Sequence, residues 1–330
     1  MKKYYTTDPQ QMVQKNKSIQ AVVFKNFRAI CQPLSAFEKL KAQFLHQGSN
    51  VFHTQHFLIV YTSFDELITL VHAFSAESID NNVVYHLMKE VAPYGLVNSE
   101  RAFGAALMSI VTSICPHDPI AAWGHFSLNT LNQLRKHLDT DIFIQEENFI
   151  TSFTTIYRRL FELKIGSSLL DVGCACAFWP ILVAERFYDK SSRIVGVDNR
   201  LDAINLSTQL AARAKVDILE FVLADVLTSQ FTRIGTFDTV TAIHLLEHLP
   251  ETQIPHVLRH LLNVTRQRLI IAVPYESQPE RAYGHEQVWT HEKLEKWGQW
   301  SVEHLLGGGS AYCEDVQGGL LIIERPRMTR

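Results

Sequence analysis

LLDVGCACAFWP, residues Leu169–Pro180, reads as the end of a buried strand running into a turn and then a helix. Its spacing is D-x-G-x-A-x-A, with Asp171, Gly173, Ala175 and Ala177 two residues apart. A backbone that must approach a ligand closely favours glycine, because any side chain stands in the way. Alanine adds a methyl group and disfavours positive φ, so Gly173 alone is expected to make the tight turn. Three readings compete: a ligand loop with reduced glycine content, a metal or redox pair built on Cys174 and Cys176, or the packed start of a helix.

Outward from this loop, short apolar runs alternate with amphipathic stretches. A helical pattern over 148–163 is followed by SLLDVG, a helix near Ile181–Phe187, RIVGVD, a helix over Leu201–Ala214, ILEFVLAD, FDTVTAIH, a helix over Ile254–Val264, and RLIIAVP. Strand and helix in alternation imply βαβ units and a parallel sheet covered on both faces. The rhythm breaks at the end. A helix near His291–Trp297 precedes SVEHLL, the turn GGGS and GLLIIERP, read as two strands joined without a helix and hence an antiparallel pair.

The chain changes character near residue 145, so 1–145 and 146–330 are taken as two domains. In the first, Ala102, Phe103, Ala106, Leu107, Ile110, Val111 and Ile114 share one helical face, and Phe37–Phe44 and Leu128–Leu138 also look helical. FLIVYT (Phe57–Thr62) fits a strand or a buried helical turn equally. A mainly helical domain that covers the acceptor or forms a homodimer is the expectation.

Composition bounds the function. The chain has 330 residues, 46% hydrophobic and 20% charged, enough for an ordinary globular core. A net charge of -3 lacks the basic footprint that duplex nucleic acid demands. MKKYYTTDPQQ has no apolar signal core, and the longest apolar stretch, Ala102–Ile114, is too short to span a bilayer, so a cytoplasmic protein is expected. Five cysteines without an export signal argue for free thiols.

SLLDVGCACAFWP, IVGVDNR, VLADVLTSQF, FDTVTAIHLLEHLP and LIIAVPYE together resemble the Rossmann-like, S-adenosylmethionine-dependent methyltransferases in motif order and spacing, over roughly residues 150–330. The antiparallel terminal pair agrees with that family. The resemblance implies S-adenosylmethionine as cofactor. Its methionine end carries an ammonium and a sulfonium, to which Asp171 and the carbonyls around Gly173 and Cys174 are complementary. Asp198, with Asn199 beside it, follows the second strand, where a carboxylate can accept from both ribose hydroxyls. Asp225 and the Val226 amide are placed by the resemblance at the adenine amino group, and His244 opens the next cofactor-side segment. Each acid alone reads equally well as a turn or helix cap.

His244-Leu-Leu-Glu247-His248 matches the H-x-x-E-H pattern of inverted zinc peptidases, which needs a helix. Here it follows a buried strand and precedes Pro250, so that reading is set aside. Related methyltransferases often carry E-x-x-E-H at this place, and in some, certain small-RNA and quinone-precursor enzymes among them, the segment contributes to a divalent metal site. No resident metal is assigned; Glu247, His248 and His285 are the residues such an ion would use. Cys174 and Cys176 are too close for a C-x-x-C pair and read as small fillers. His53 and His56 read as solvated or core histidines.

VPYESQPERAYGHEQVWT (Val273–Thr290) is rich in groups that can position an acceptor. Its Pro274-Tyr275 pair follows the fifth strand rather than the fourth, which argues against the adenine-amino class of DNA methyltransferases. AVPYE, the YGH of 283–285, HLLEHLP and QGGLLIIERP resemble the glycan O-methyltransferases associated with the mycofactocin cofactor. Alkylating a hydroxyl needs its proton removed, so a base near neutral pKa suits the reaction, with His285 the first candidate and His248 and Glu247 behind it. A small-molecule or glycan acceptor methylated at oxygen is the expectation. The alternatives are a metal-dependent small-molecule or RNA-end O-methyltransferase and a non-catalytic S-adenosylmethionine-binding protein.

Overall fold

The computed structural model describes residues 13–16, 19–62, 67–140, 148–187 and 192–326. The chain divides into two units: residues 1–133, 145–150 and 281–284, and residues 134–144, 151–280 and 285–330. The expected boundary at residue 145 lies outside the described residues.

The first unit is built on a six-stranded sheet. Its elements are β1 (Val13–Asn16), β2 (Ile19–Phe24), β3 (Phe27–Cys31), α1 (Phe37–His46), β4 (Asn50–His53), β5 (Phe57–Thr62), β6 (Leu67–His72), α2 (Asn82–Glu90), α3 (Glu100–Ser113) and the start of α4 (Pro119–Asp139). The strand order is β1-β2-β3-β6-β5-β4, with β3 and β6 parallel and the other pairs antiparallel. The helices expected from periodicity are present, but the mainly helical reading is incomplete because it missed this sheet. FLIVYT shows why. Phe57 and Ile59 pack with α2 and α3, whereas Leu58 and Val60 pack with Phe37, Leu40 and Phe44 of α1. A strand buried on both faces loses the apolar–polar alternation that marks a strand in sequence.

The second unit holds the alternation expected for it. After α5 (Phe149–Glu162) come β7 (Ser168–Val172), α6 (Phe178–Phe187), β8 (Arg193–Asp198), α7 (Leu201–Ala214), β9 (Leu219–Leu223), β10 (Phe237–Ile243), α8 (Ile254–Val264), β11 (Thr265–Val273), α9 (His291–Glu303), β12 (Ser310–Asp315) and β13 (Gly319–Glu324). The sheet order is β12-β13-β11-β10-β7-β8-β9; β13 is antiparallel to both its neighbours, and the rest are parallel. The chain starts in the middle at β7, builds outward through β8 and β9, then returns to add β10 and β11 on the other side. That reversal puts the crevice for a ligand beyond the carboxyl ends of β7 and β10.

The antiparallel pair is real but displaced from its expected place. Of SVEHLL, Ser301–Glu303 close α9, where Leu294, Trp297 and Ser301 form one buried face and the Ser301 hydroxyl donates to the Trp297 carbonyl at 2.7 Å. Gly307 and Gly308 follow that helix. The hairpin turn is instead Val316–Gly318, which closes with a bond from Val316 N–H to the Gly318 carbonyl at 2.9 Å. Gly318 sits at φ 113°, and a Cβ there would lie 2.3 Å from the Val273 carbonyl oxygen. The turn is therefore fitted against the end of β11, where the Pro274–Glu276 segment begins.

Candidate functional site

At the entry end of the sheet the acids are paired. Asp238, near the start of β10, accepts from the Ser167 amide and hydroxyl at 2.9 and 2.7 Å and from Arg266 at 3.0 Å. Burial alone would raise its carboxyl, but Ser167 and Arg266 outweigh that and hold it below its ordinary value.

Asp171, at the opposite end, is treated differently. It is 4% exposed and lies across from Gly196 on β8 and Thr241 on β10. The Thr241 hydroxyl donates to it at 2.6 Å, and among the described residues no basic side chain pairs with it. Desolvation pushes its carboxyl up to about 7; the Thr241 bond opposes that rise, and the nearby Asp198 adds to it. A buried acid of this kind is complementary to a ligand cation.

The loop after β7 departs from expectation at its alanines. Gly173 has φ 79°, but Ala175 and Ala177 also adopt positive φ, at 45° and 55°. The turn is therefore made by three residues rather than by Gly173 alone. The loop's path is held by bonds to β8: the Gly173 and Cys174 amides donate to the Val197 carbonyl at 2.8 and 2.9 Å, and the Ala175 amide to Asp198 at 3.1 Å. The Ser207 hydroxyl donates to the Ala175 carbonyl at 2.6 Å. Left-handed backbone costs an L-residue about 1–2 kcal/mol, whereas glycine forfeits about 0.4–1 kcal/mol through its freer unfolded chain. Ala175 is exposed, so no packing is lost on truncation. Ala175→Gly is expected to stabilise the protein by about 0.5 kcal/mol, read from the denaturant midpoint.

Cys174 is buried, and a Cβ on Gly196 would lie 3.0 Å from its sulfur. Burial, then Asp171 and Asp198, push its thiol far up. It is a protonated packing residue against β8, as the filler reading expected.

Asp198 ends β8 and accepts from the Ala175 amide and, at 2.9 Å, from the Arg200 amide. A carboxylate has about four acceptor positions, so these bonds leave capacity for hydroxyls. Asn199 beside it is exposed. Asp225, two residues past β9, accepts from the Leu227 amide at 2.9 Å, the turn-capping role that its sequence position also allows. Val226 is buried, and its carbonyl accepts from His260 at 2.6 Å. Strands β7, β8 and β9 are adjacent and parallel, so the three acids stand in a row along one edge of the sheet.

Beyond β10 the H-x-x-E-H segment is a strand end followed by one 3-10 turn, Leu246–His248, not an α-helix. His244 has φ 51°, and its Nδ1 lies 3.0 Å from Glu247 Oε1. Leu245 meets the first loop, since a Cβ on Gly173 would lie 3.0 Å from it. Glu247 is fully buried. Burial would raise its carboxyl, but His244 and His248 hold it low, and its Oε2 has no hydrogen-bond partner among the described residues.

The chain after β11 closes onto this turn. The Glu286 amide donates to the Glu247 carbonyl at 2.8 Å, and the Gln287 side chain donates to the carbonyls of Leu246 and Leu249 at 3.1 and 2.5 Å. His285 is buried, its ring 5.0 Å from that of His248, and its Nδ1 lies 2.9 Å from both oxygens of Glu276. Donor atoms of Glu247, His248 and His285 lie within 4.8 Å of one another. The three residues named for base or metal chemistry are thus brought together.

Glu276, Thr241 and Gln287 were missed from sequence. Glu276 alone left a signal, as the acid that ends VPYE directly after the fifth strand. Tyr283, within the YGH of 283–285, packs edge-on against Phe103 and Phe149 inside the first unit.

Residues 169–268 match a family described as a methyltransferase domain. The curated relatives include the probable (S)-tetrahydroprotoberberine N-methyltransferase 2 of Papaver bracteatum, 25% identical over 99 residues, which are 30% of this chain and 26% of that one. They also include the demethylmenaquinone methyltransferase of Bacillus cereus, 28% identical over 108 residues, 33% of this chain and 44% of that one. The chain thus spans less than half the length of these relatives. An O-methyltransferase family protein from Burkholderia thailandensis has a solved structure with a TM-score of 0.46 and 12% identity, covering 74% of this chain and 70% of that one. The sheet order, the crevice it creates and the family match make the second unit a Rossmann-like methyltransferase domain, of the class whose cofactor is S-adenosylmethionine. No helix among the described residues is long and apolar enough to cross a membrane.

Proposed function

We propose that this chain transfers a methyl group from S-adenosylmethionine to the oxygen of a small-molecule or glycan acceptor. The observation that carries the proposal is Asp171, a buried acid with no basic partner among the described residues, at the reversal point of the sheet. S-adenosylmethionine, when bound, supplies an electrophilic methyl on a sulfonium and an ammonium for Asp171 to pair with. Asp198 and Asn199 hold the ribose, Asp225 and the Val226 amide the adenine, and Gly173, Cys174 and His244 line the methionine end. A glycan as acceptor rests on the resemblance of AVPYE, YGH, HLLEHLP and QGGLLIIERP to the glycan O-methyltransferases.

His285 is the base in this reading. With Nδ1 donating to Glu276, its other nitrogen is the one that accepts the acceptor's proton, and Glu276 stabilises the imidazolium that results. His248 and Glu247 flank it.

Calorimetric titration with S-adenosylhomocysteine tests the proposal; saturable one-site binding is expected, and no heat at millimolar ligand would overturn it. Binding should also depend on pH. Asp171 is half protonated near pH 7 and must ionise to pair with the ligand ammonium, so affinity is expected to fall as pH drops from about 7.5 to 5.5, approaching tenfold per unit at the acid end. A flat profile would remove Asp171 from the ligand site. The acceptor is found by trapping radiolabelled methyl in extracts of the source organism.

A second reading has its own observation. The orphaned Glu247 Oε2, with His248 and His285 in reach, suits a divalent ion, which would make methyl transfer metal-dependent and remove His285 as base. Turnover lost to a chelator and restored by a divalent ion selects this reading; turnover indifferent to chelator selects the first.

A further inference from the structure

We propose that His56, His86 and Glu90 form a binding site for a zinc-class divalent ion in the first unit. His56 lies in the turn between β4 and β5, while His86 and Glu90 stand one turn apart on α2 and so share a helix face. His56 Nδ1 lies 2.6 Å from Glu90 Oε1, and His86 Nδ1 lies 3.6 Å from that same oxygen. One donor atom from each residue falls within 4.8 Å of the other two.

The surroundings fix these side chains. The imidazoles stack at 3.7 Å between centroids, and Phe74 stacks with both, at 6.0 and 6.2 Å. The other Glu90 oxygen accepts from the His56 amide at 2.9 Å, and the Thr54 hydroxyl bonds the carboxylate as well. Ligands oriented by contacts of this kind lose little freedom on taking up an ion.

Two imidazole nitrogens converge on one carboxylate oxygen, the arrangement in which a cation can meet all three groups. A divalent ion satisfies all three donors at once, with any proton on the two ligating imidazole nitrogens released to solvent. Two imidazoles and one carboxylate are a donor set of zinc, which takes a fourth ligand from water where, as here, the site is half-buried. The bound ion would fasten the β4–β5 turn to α2.

The test is zinc binding by the full chain after metal removal, counted by elemental analysis after dialysis, with thermal unfolding as a second readout. His86→Ala and Glu90→Gln are each expected to bind one zinc fewer than the unsubstituted chain and to lose the rise in Tm that zinc gives. His248→Ala, which disables the separate cluster in the second unit, is expected to keep that rise. Glu90→Gln preserves size and hydrogen bonding, so it remains informative if His86→Ala fails to fold. Equal zinc content in the unsubstituted chain and Glu90→Gln, or no zinc bound by the unsubstituted chain, would overturn the proposal.

Discussion

Asp171→Asn is expected to abolish most S-adenosylhomocysteine binding while making the ligand-free protein more stable. The two effects share one cause. A carboxyl whose folded-state pKa is raised to about 7 holds more protons folded than unfolded, so stability falls as pH rises from about 4 to 7. Above that window the native protein carries a buried charge relieved by little more than the Thr241 hydroxyl. Asparagine keeps an acceptor for Thr241 and removes the charge, for a gain of roughly 2–4 kcal/mol at about pH 8 that vanishes near pH 4. The ligand ammonium then loses its counter-ion, at about 2–4 kcal/mol, or roughly 30- to 900-fold in Kd. Thermal unfolding at two pH values and calorimetry check the pair. Loss of binding together with loss of stability would mark Asp171 as a structural acid instead.

His285→Ala is expected to lower kcat by about 100- to 10,000-fold and leave the Kd for S-adenosylhomocysteine within about threefold. The residue is held by Glu276, both of whose carboxylate oxygens lie 2.9 Å from its Nδ1. Glu276→Gln removes the charge and the preference for a proton on Nδ1, so a loss of about 100-fold is expected. The pH–rate profile, recorded alongside, shows which groups act as acid and base. A Glu276→Gln protein with unchanged rate and profile would leave His285 without a role as base.

How far the sequence could be read depended on how each segment is buried. β10 is almost wholly buried between parallel neighbours, and its apolar run FDTVTAI bounded by helical stretches left little choice. FLIVYT is just as apolar, and its sheet neighbours β4 and β6 flank it directly, but with both its faces buried it shows no apolar–polar alternation, and no regular strand–helix rhythm surrounds it. The terminal hairpin was found and misplaced because GGGS is a stronger turn signal than VQG, whereas the packing of Trp297 and Ser301 keeps 301–303 in α9, so the residues before the glycine run form no strand. The acids at the strand ends were legible because parallel topology fixes where such ends lie. The positive φ of Ala175 and Ala177 was not, since alanine's preference argues against it and only the bonds to β8 and Ser207 enforce it. Glu276 escaped for a related reason: its meeting with His285 spans a stretch of irregular chain that no periodicity describes.

The order in which residues join the two units bears on how the protein can be cut. Passing along the sequence, membership changes at 133/134, 144/145, 150/151, 280/281 and 284/285. Neither unit is a continuous piece of polypeptide. A fragment starting at residue 146 would shed 134–144 from its own unit and keep 281–284, including the Tyr283 ring, without the Phe103 it packs against. Recombinant halves are therefore expected to be insoluble or unstable, and a protease that nicks the chain once between the units should leave both remnants associated until denaturant is added.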